Sequence, residues 1–421
     1  MKAILKRGNF PQKKIKINIS GSKSESNRLL ILQAQFPNIS IKNLSKSDDT
    51  VVLQKGLKTK NGIVNVHHAG TAMRFLTAYF AAKEGAEITL TGSQRMQERP
   101  IGILVDALKS LGADIEYLKN EGFPPLKIIG KKLQKSEVKI KADVSSQYIS
   151  ALMLMAPLLP NGLKIFLEGK TTSVPYIEMT LSLLKNVGIK GNFNKNEITI
   201  PSAKKIDDST LIVESDWSSA SYFYSLVALS NLSANEDENC KITLSSFLED
   251  SLQGDVALAQ IYDSLGVQTV FNTLAKTITL SKKNTELPDS VLLDLLNTPD
   301  LAQTIAVTCF GLGIGCKLTG LHTLKIKETD RLLALKNELE KLGAKIQVDN
   351  KSLNLEKTSK IHFNKTIETC QDHRMALAFA PLALKTNLTI NNAEVVSKSY
   401  PNFWKDIQRT GIGLMLMNLE S

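Results

Sequence analysis

Arginine and lysine recur where helices should begin. GSKSESNRLLILQAQ sets Lys23 and Arg28 at a start signalled by Ser24 or Ser26, and AGTAMRFLTAYFAA puts Arg74 three residues after Thr71, a capping candidate. Arg99 directly precedes Pro100, a favoured first helical residue. Arg331 follows Thr329 and Asp330, Arg374 lies two residues past Asp372, and Lys398 stands just ahead of a Pro401-initiated segment. A cation in the first turn opposes the helix macrodipole, at a cost of roughly 0.3–1 kcal/mol. One such case reads as an arginine satisfied by nearby carboxylates. Six in one chain point to anion cradles, where free backbone N–H groups and a guanidinium or ammonium act together. Ser145, Ser146 and Gln147 in DVSSQYISALMLMA add a neutral, donor-rich start. The expectation is a cleft lined by converging helix N-termini that binds multiply charged anions.

Two carboxylates are candidates for proton transfer. Asp300 follows a proline and opens an apolar helix, so it reads as a plain N-cap or as a base. Glu328, between Lys327 and Arg331, reads as half of a surface ion pair or as an acid. Other motifs fall away. GSKS lacks the spaced glycines of a phosphate loop, and no GxSxG or Cys–His pairing supports a covalent triad. His67 and His68 are adjacent, with no third ligand at metal spacing, and His373 fits a helix-start hydrogen bond. No metal site is expected.

These residues need a scaffold of several elements. A helix ending in glycine and followed by a β-like alternation recurs at Gly112, Gly188, Gly266 and Gly343, with weaker copies at Gly62 and Gly411. Glycine at that place ends a helix in the left-handed conformation and starts the next strand. The pattern predicts about six αβ-rich units, three to a domain. The boundaries fall near Ser20–Gly21 and Glu214–Asp216, giving one domain of 1–21 with 215–421 and another of 22–214. With 421 residues, 43% apolar and 22% charged, the chain is globular rather than fibrous or disordered. Its apolar runs are too short to span a bilayer, and MKAILKRGNF is no signal peptide. Four scattered cysteines fit a reduced, cytoplasmic compartment. Net charge is 52 − 41 = +11, which suits anionic partners, while 6% aromatics gives little stacking surface for nucleic acid.

GSKSESNR, AGTAMR, ERPIG, VSSQ, SVPYI, SDWSSASYF, PD before a helix, KETDR, DHRMA and SKSYPNFW occur in this order from about Gly21 to Trp404. In this the chain resembles the enolpyruvyl transferase family, and within it the branch acting on shikimate 3-phosphate. The resemblance implies an α/β fold, a two-domain inside-out α/β barrel with three βαβαββ-type repeats per domain. It implies transfer of the enolpyruvyl group of phosphoenolpyruvate to the 5-hydroxyl of shikimate 3-phosphate, by addition and elimination, without metal or cofactor. Carried over motif by motif, Lys23, Gly70, Arg99, Gln147, Arg331, Arg374 and Lys398 would hold phosphoenolpyruvate. Ser24, Arg28, Ser145, Ser146, Gln147, Ser173, Tyr176, Asp300 and Lys327 would hold shikimate 3-phosphate. Asp300 would take the hydroxyl proton and Glu328 would protonate the methylene carbon, with Lys23 assisting. The family further implies a cytoplasmic monomer serving aromatic amino acid biosynthesis, with no nucleic-acid or membrane partner.

His68, Phe75, Thr323 and Val174 depart from the family pattern. Gly70 is the residue type the family associates with inhibition by glyphosate, and Phe75 is expected to lie beneath its loop. The sister branch acting on UDP-N-acetylglucosamine uses a loop cysteine that GSQRMQER lacks. A basic RNA-processing protein of related repeat fold is the second alternative, and the isolated cations suit compact anions better than a polynucleotide backbone.

Overall fold

The computed structural model describes residues 1–8, 14–142, 145–169, 171, 174–232, 240–358 and 360–418. The chain folds into two compact units, Met1–Ser20 with Glu214–Ser421, and Gly21–Val213. Gly21 therefore falls with the second unit and Glu214 with the first, each one residue from the expected boundary. Gly21 abuts Asn43 so closely that a Cβ would lie 1.8 Å from the Asn43 carbonyl oxygen. Glu214 is held inside the other unit by the Trp217 indole, the Leu248 amide and Ser251.

The repeat is visible in the sheets. In the unit Gly21–Val213, strand Asn61–Asn65 runs parallel to Glu87–Thr91, followed by the antiparallel strands Leu126–Ile129 and Asp114–Tyr117. Glu137–Lys141, Leu163–Glu168, Glu197–Ile200 and Asn192–Asn194 repeat this pattern. The third sheet is reduced, among the described residues, to the parallel pair Ile39–Lys42 and Ser209–Ile212. The other unit has three full copies, one of which runs Ser290–Asp294, Gly315–Thr319, Leu353–Leu355, Ile346–Val348. In that copy the helices Ala302–Leu312 and Arg331–Lys341 complete a β-α-β-α-β-β order.

The glycines that suggested the repeat have positive φ, from 81° at Gly266 to 101° at Gly112. Gly62 differs: its φ is positive too, but it sits inside strand Asn61–Asn65, after a helix that already ended at Lys58.

In each unit three largely buried helices pack on one another, and all but the polar-starting Lys23–Gln35 are predominantly apolar. They are Lys23–Gln35, Gly70–Ala82 and Ser146–Met155 in one unit, and Trp217–Leu229, Ala302–Leu312 and His373–Phe379 in the other. Every residue of Trp217–Leu229 except Ser218 is buried. Each fully buried Leu or Phe there contributes roughly 1.5–3 kcal/mol. This burial sets where the helices begin, and hence where their first-turn side chains project.

Candidate active site

In the unit carrying Glu214–Ser421, the starts of the three inner helices meet through hydrogen bonds. Asp300 lies in the short turn Pro299–Leu301 ahead of Ala302–Leu312, Arg374 opens His373–Phe379, and Ser218 opens Trp217–Leu229. Arg374 donates from Nη2 to Asp300 Oδ2 at 3.0 Å and to Ser218 Oγ at 3.3 Å, and from Nη1 to the Asp300 carbonyl at 3.2 Å. Arg331 comes from the outer helix Arg331–Lys341, capped by Asp330. Its Nη1 bonds Asp300 Oδ1 at 2.8 Å, Nη2 bonds Glu328 Oε2 at 2.8 Å, and Nε bonds Asp372 Oδ2 at 2.6 Å. Lys398 closes on Glu328 Oε1 at 2.7 Å, and Lys327 Nζ stands 3.9 Å from Asp300 Oδ1. Asp372, wholly buried, also caps its helix by accepting from the Arg374 amide at 2.9 Å. All six expected residues of this unit thus share one cluster.

The electrostatics follow from that packing. Burial alone would raise the Asp300 carboxyl, but Arg374, Lys327 and Arg331 outweigh burial and the opposing charge of Glu328, and hold it well below the usual carboxylate range. Burial would lower both guanidinium groups. The surrounding carboxylates, led by Asp372 for Arg331 and Asp300 for Arg374, raise them instead. The surface-pair reading of Glu328 does not hold, since its side chain is only 12% exposed and lies between two cations. Nor is Asp300 an N-cap: its side chain accepts from arginines and from no helix amide.

In the unit Gly21–Val213, Ser22 is the cap of Lys23–Gln35, accepting from the Glu25 amide at 3.4 Å, rather than Ser24 or Ser26. Lys23 is then the first helical residue, its ammonium 3.4 Å from the buried Asp49 carboxylate. Arg28 lies between the rings of Phe75 and Tyr176, 5.5 Å from each centroid. It donates to Thr180 Oγ1, Ser150 Oγ and the Ser24 carbonyl, and burial lowers it to about 10. Phe75 thus presents its ring to Arg28. Ser145 caps Ser146–Met155, and Gln147 Nε2 reaches Thr71 Oγ1 at 3.2 Å, joining two inner-helix starts. Ser173 lies outside the described residues.

Arg99 and Arg74 differ from expectation. Thr71 is not a cap, because the helix starts at Gly70 behind Ala69 with no side-chain cap. Arg74 folds back instead, donating to the carbonyls of Gly70 and Pro100. Pro100 does not open a helix: Gly102–Ser110 starts two residues later, and the Pro100 carbonyl also accepts from the Tyr148 hydroxyl. Arg74 thereby fixes the loop that presents Arg99. Arg99 itself is 8% exposed, its Nε has no partner, and its guanidinium makes no hydrogen bond or ion pair among the described residues. It lies over Gly70, where a Cβ would come 2.8 Å from Nη1. A buried cation left open in this way is a ready anion site.

Sequence reasoning missed Asp49, Ser218 and Asp255. Asp255 is buried and its Oδ2 accepts from the Ser218 hydroxyl. Burial first, and then the Asp300 charge, push its carboxyl up to about 7, against the Ser218 bond and Arg374. LQGDVALAQ carries no signal for this, because an acid ahead of an apolar run looks like an ordinary helix start. Asp49, behind Ser47 and Asp48, is hidden the same way.

The model of EPSP synthase (3-phosphoshikimate 1-carboxyvinyltransferase) matches residues 38–407. A protein of that name from Bacteroides fragilis is 43% identical over 407 residues, covering 96% of this chain and 97% of its own. One from Shewanella piezotolerans is 36% identical, covering 92% and 95%. The solved EPSP synthase of Acinetobacter baumannii superposes with a TM-score of 0.77 at 19% identity, over 98% of this chain and 99% of its own, which establishes a shared fold. These names support neither the UDP-N-acetylglucosamine branch nor an RNA-processing protein. Matched nearly end to end, the chain belongs to the EPSP synthase (3-phosphoshikimate 1-carboxyvinyltransferase) family.

Proposed function

We propose that this chain transfers the 1-carboxyvinyl group of phosphoenolpyruvate to the 5-hydroxyl of shikimate 3-phosphate, releasing phosphate. The observation that carries this reading is Arg331, a buried guanidinium bonded at once to Asp300, Glu328 and Asp372 and flanked by Arg374, Lys327 and Lys398. Cations this dense answer a substrate with both a phosphate and a carboxylate, which planar guanidinium groups grip at two points. Arg99, open and lying on Gly70, supplies a further anion contact, and Lys23 and Gln147 supply donors. Arg28, Ser24, Ser145, Ser146, Ser173 and Tyr176 serve shikimate 3-phosphate.

In the addition step the 5-hydroxyl oxygen bonds C2 of phosphoenolpyruvate, its proton passes to Asp300, and Glu328 protonates C3 to a methyl group. In the elimination step C3 returns a proton and the C2–O bond to phosphate breaks. Asp300 is a weak base while three cations hold it. Substrate anions that engage Arg331 and Arg374 weaken that field and raise the basicity of Asp300 where it is needed. The Glu328 charge opposes ionisation of Asp300, so the state of one carboxylate bears on the other. Cytoplasmic placement accords with four cysteines that are all free thiols. No helix among the described residues is long and apolar enough to cross a membrane. Phosphate release measured with both substrates, and with each omitted in turn, tests the reading. Release without shikimate 3-phosphate overturns it.

A further inference from the structure

We propose that Asp255 is a positioning residue that couples a proton to anion binding at Arg374, acting through Ser218. The inference rests on Arg374 being an anion contact and adds to that a linked protonation site outside the reacting groups.

The geometry is a three-member relay. The Ser218 hydroxyl has one hydrogen, and it donates that hydrogen to Asp255 Oδ2. The lone pairs of the same oxygen accept from Arg374 Nη2 at 3.3 Å. An ionised Asp255 only accepts, so it fixes Ser218 as donor toward itself and acceptor toward Arg374. A protonated Asp255 can donate, which frees the Ser218 hydrogen to turn toward the guanidinium and loosen its hold. Arg374 Nη2 is also shared with Asp300 Oδ2 at 3.0 Å, so two carboxylates compete for one nitrogen, one directly and one through a hydroxyl.

The charges around the relay give the coupling its sign. Arg374 favours the ionised form of Asp255, whereas Asp300 and the helix cap Asp216 oppose it. Glu214 reaches the same segment through Ser251 and Gln253, and His373 stands 3.5 Å from Asp372 beside Arg374. An anion on Arg374 neutralises a cation that favours ionised Asp255, and adds negative charge nearby. Both changes raise the proton affinity of Asp255, whose carboxyl already sits near 7. Anion binding near neutrality therefore draws in a proton, and by reciprocity a protonated Asp255 tightens the anion.

Sulfate is the probe, because its own charge does not change near neutral pH. Calorimetry in buffers of different ionisation enthalpy counts the protons taken up, and the dissociation constant is followed from pH 6 to 9. The wild-type protein should take up on the order of half a proton at pH 7 and lose about tenfold in sulfate affinity across that range. Asp255→Asn should lose the uptake and flatten the profile. Ser218→Ala, which keeps the carboxyl but breaks the relay, should reduce both, and it carries the test if Asp255→Asn does not fold. Equal uptake in wild type and Asp255→Asn overturns the proposal and points to His373, while unchanged uptake in Ser218→Ala overturns the relay. Failure of the wild type to bind sulfate saturably would overturn the anion-site reading of Arg374 as well.

Discussion

Arg331 Nη1 and Asp300 Oδ1 meet at 2.8 Å while Nη2 of the same guanidinium holds Glu328 Oε2 at 2.8 Å, so one planar group sets the separation of the two carboxylates. A lysine offers one nitrogen in place of the planar fork and cannot hold the two carboxylates at this separation through separate nitrogens. Arg331→Lys should lower kcat/KM for phosphoenolpyruvate roughly a hundredfold or more. Arg331→Ala leaves Asp372 and Asp300 buried beside a lost partner and should cost about 3–5 kcal/mol. Steady-state kinetics and urea unfolding check the two effects, and a near-normal Arg331→Lys enzyme would remove the bridging role.

The two carboxylates are separable by substitution. Asp300→Asn and Glu328→Gln should each lower kcat by roughly 10²–10⁴ while leaving substrate affinity within a few-fold. The pH–rate profile of Glu328→Gln should lose its alkaline limb, because an acid must be protonated to act. A variant that keeps both that limb and near-full rate excludes Glu328 as the acid.

Gly70→Ala places a methyl group 2.8 Å from Arg99 Nη1 and 3.0 Å from Nη2. The helix backbone cannot yield, so the guanidinium must shift. KM for phosphoenolpyruvate should rise about tenfold, equivalent to ~1.4 kcal/mol, with a smaller change in kcat. A phosphonate competitor such as glyphosate that uses Arg99 should weaken in parallel, and equal inhibition constants for the two enzymes would separate Gly70 from that contact.

Asp255 and Asp300 push stability in opposite directions with pH. Asp255 is raised to about 7, so the native state favours its neutral form. Its stabilising contribution is complete below about pH 4, the ordinary aspartate value, and is lost as pH climbs through 7. Asp300 is depressed, so its contribution is present above about pH 4 and is lost only as pH falls below that value. Asp255→Asn should therefore stabilise the protein by about 2–4 kcal/mol at pH 8 and change little at pH 4. Denaturant midpoints of wild type and variant at both pH values provide the check.

What could be read ahead of the structure was local. The repeat glycines announced themselves because a left-handed helix end admits few other residues, and Arg331 and Arg374 sat beside acids that do cap helices. Helix starts were placed to within a turn, with Ser22 rather than Ser24 or Ser26 as the cap, because several serines in a row are chemically alike. Roles set by distant partners were not legible. Arg74 and Arg99 both looked like cradle residues, yet one clamps a loop 26 residues away and the other stays open. Asp49 and Asp255 read as routine helix-start acids because their partners, Lys23 and Ser218, lie 26 and 37 residues away.

The strand Lys2–Lys6 is paired on one side with Leu388–Asn391 and on the other with Gly413–Met417. At roughly 5–20 residues per second on the ribosome, the first strand waits on the order of 20–80 s for its neighbours to be made. Meanwhile residues 21–213 already hold every strand of their own sheets. The nascent chain thus carries a finished lobe beside an unpaired leading segment whose Ala3 and Leu5 are destined for the interior. A stalled or clipped product should keep the lobe and lose the closing sheet, leaving a chaperone or protease a defined piece of backbone to seize.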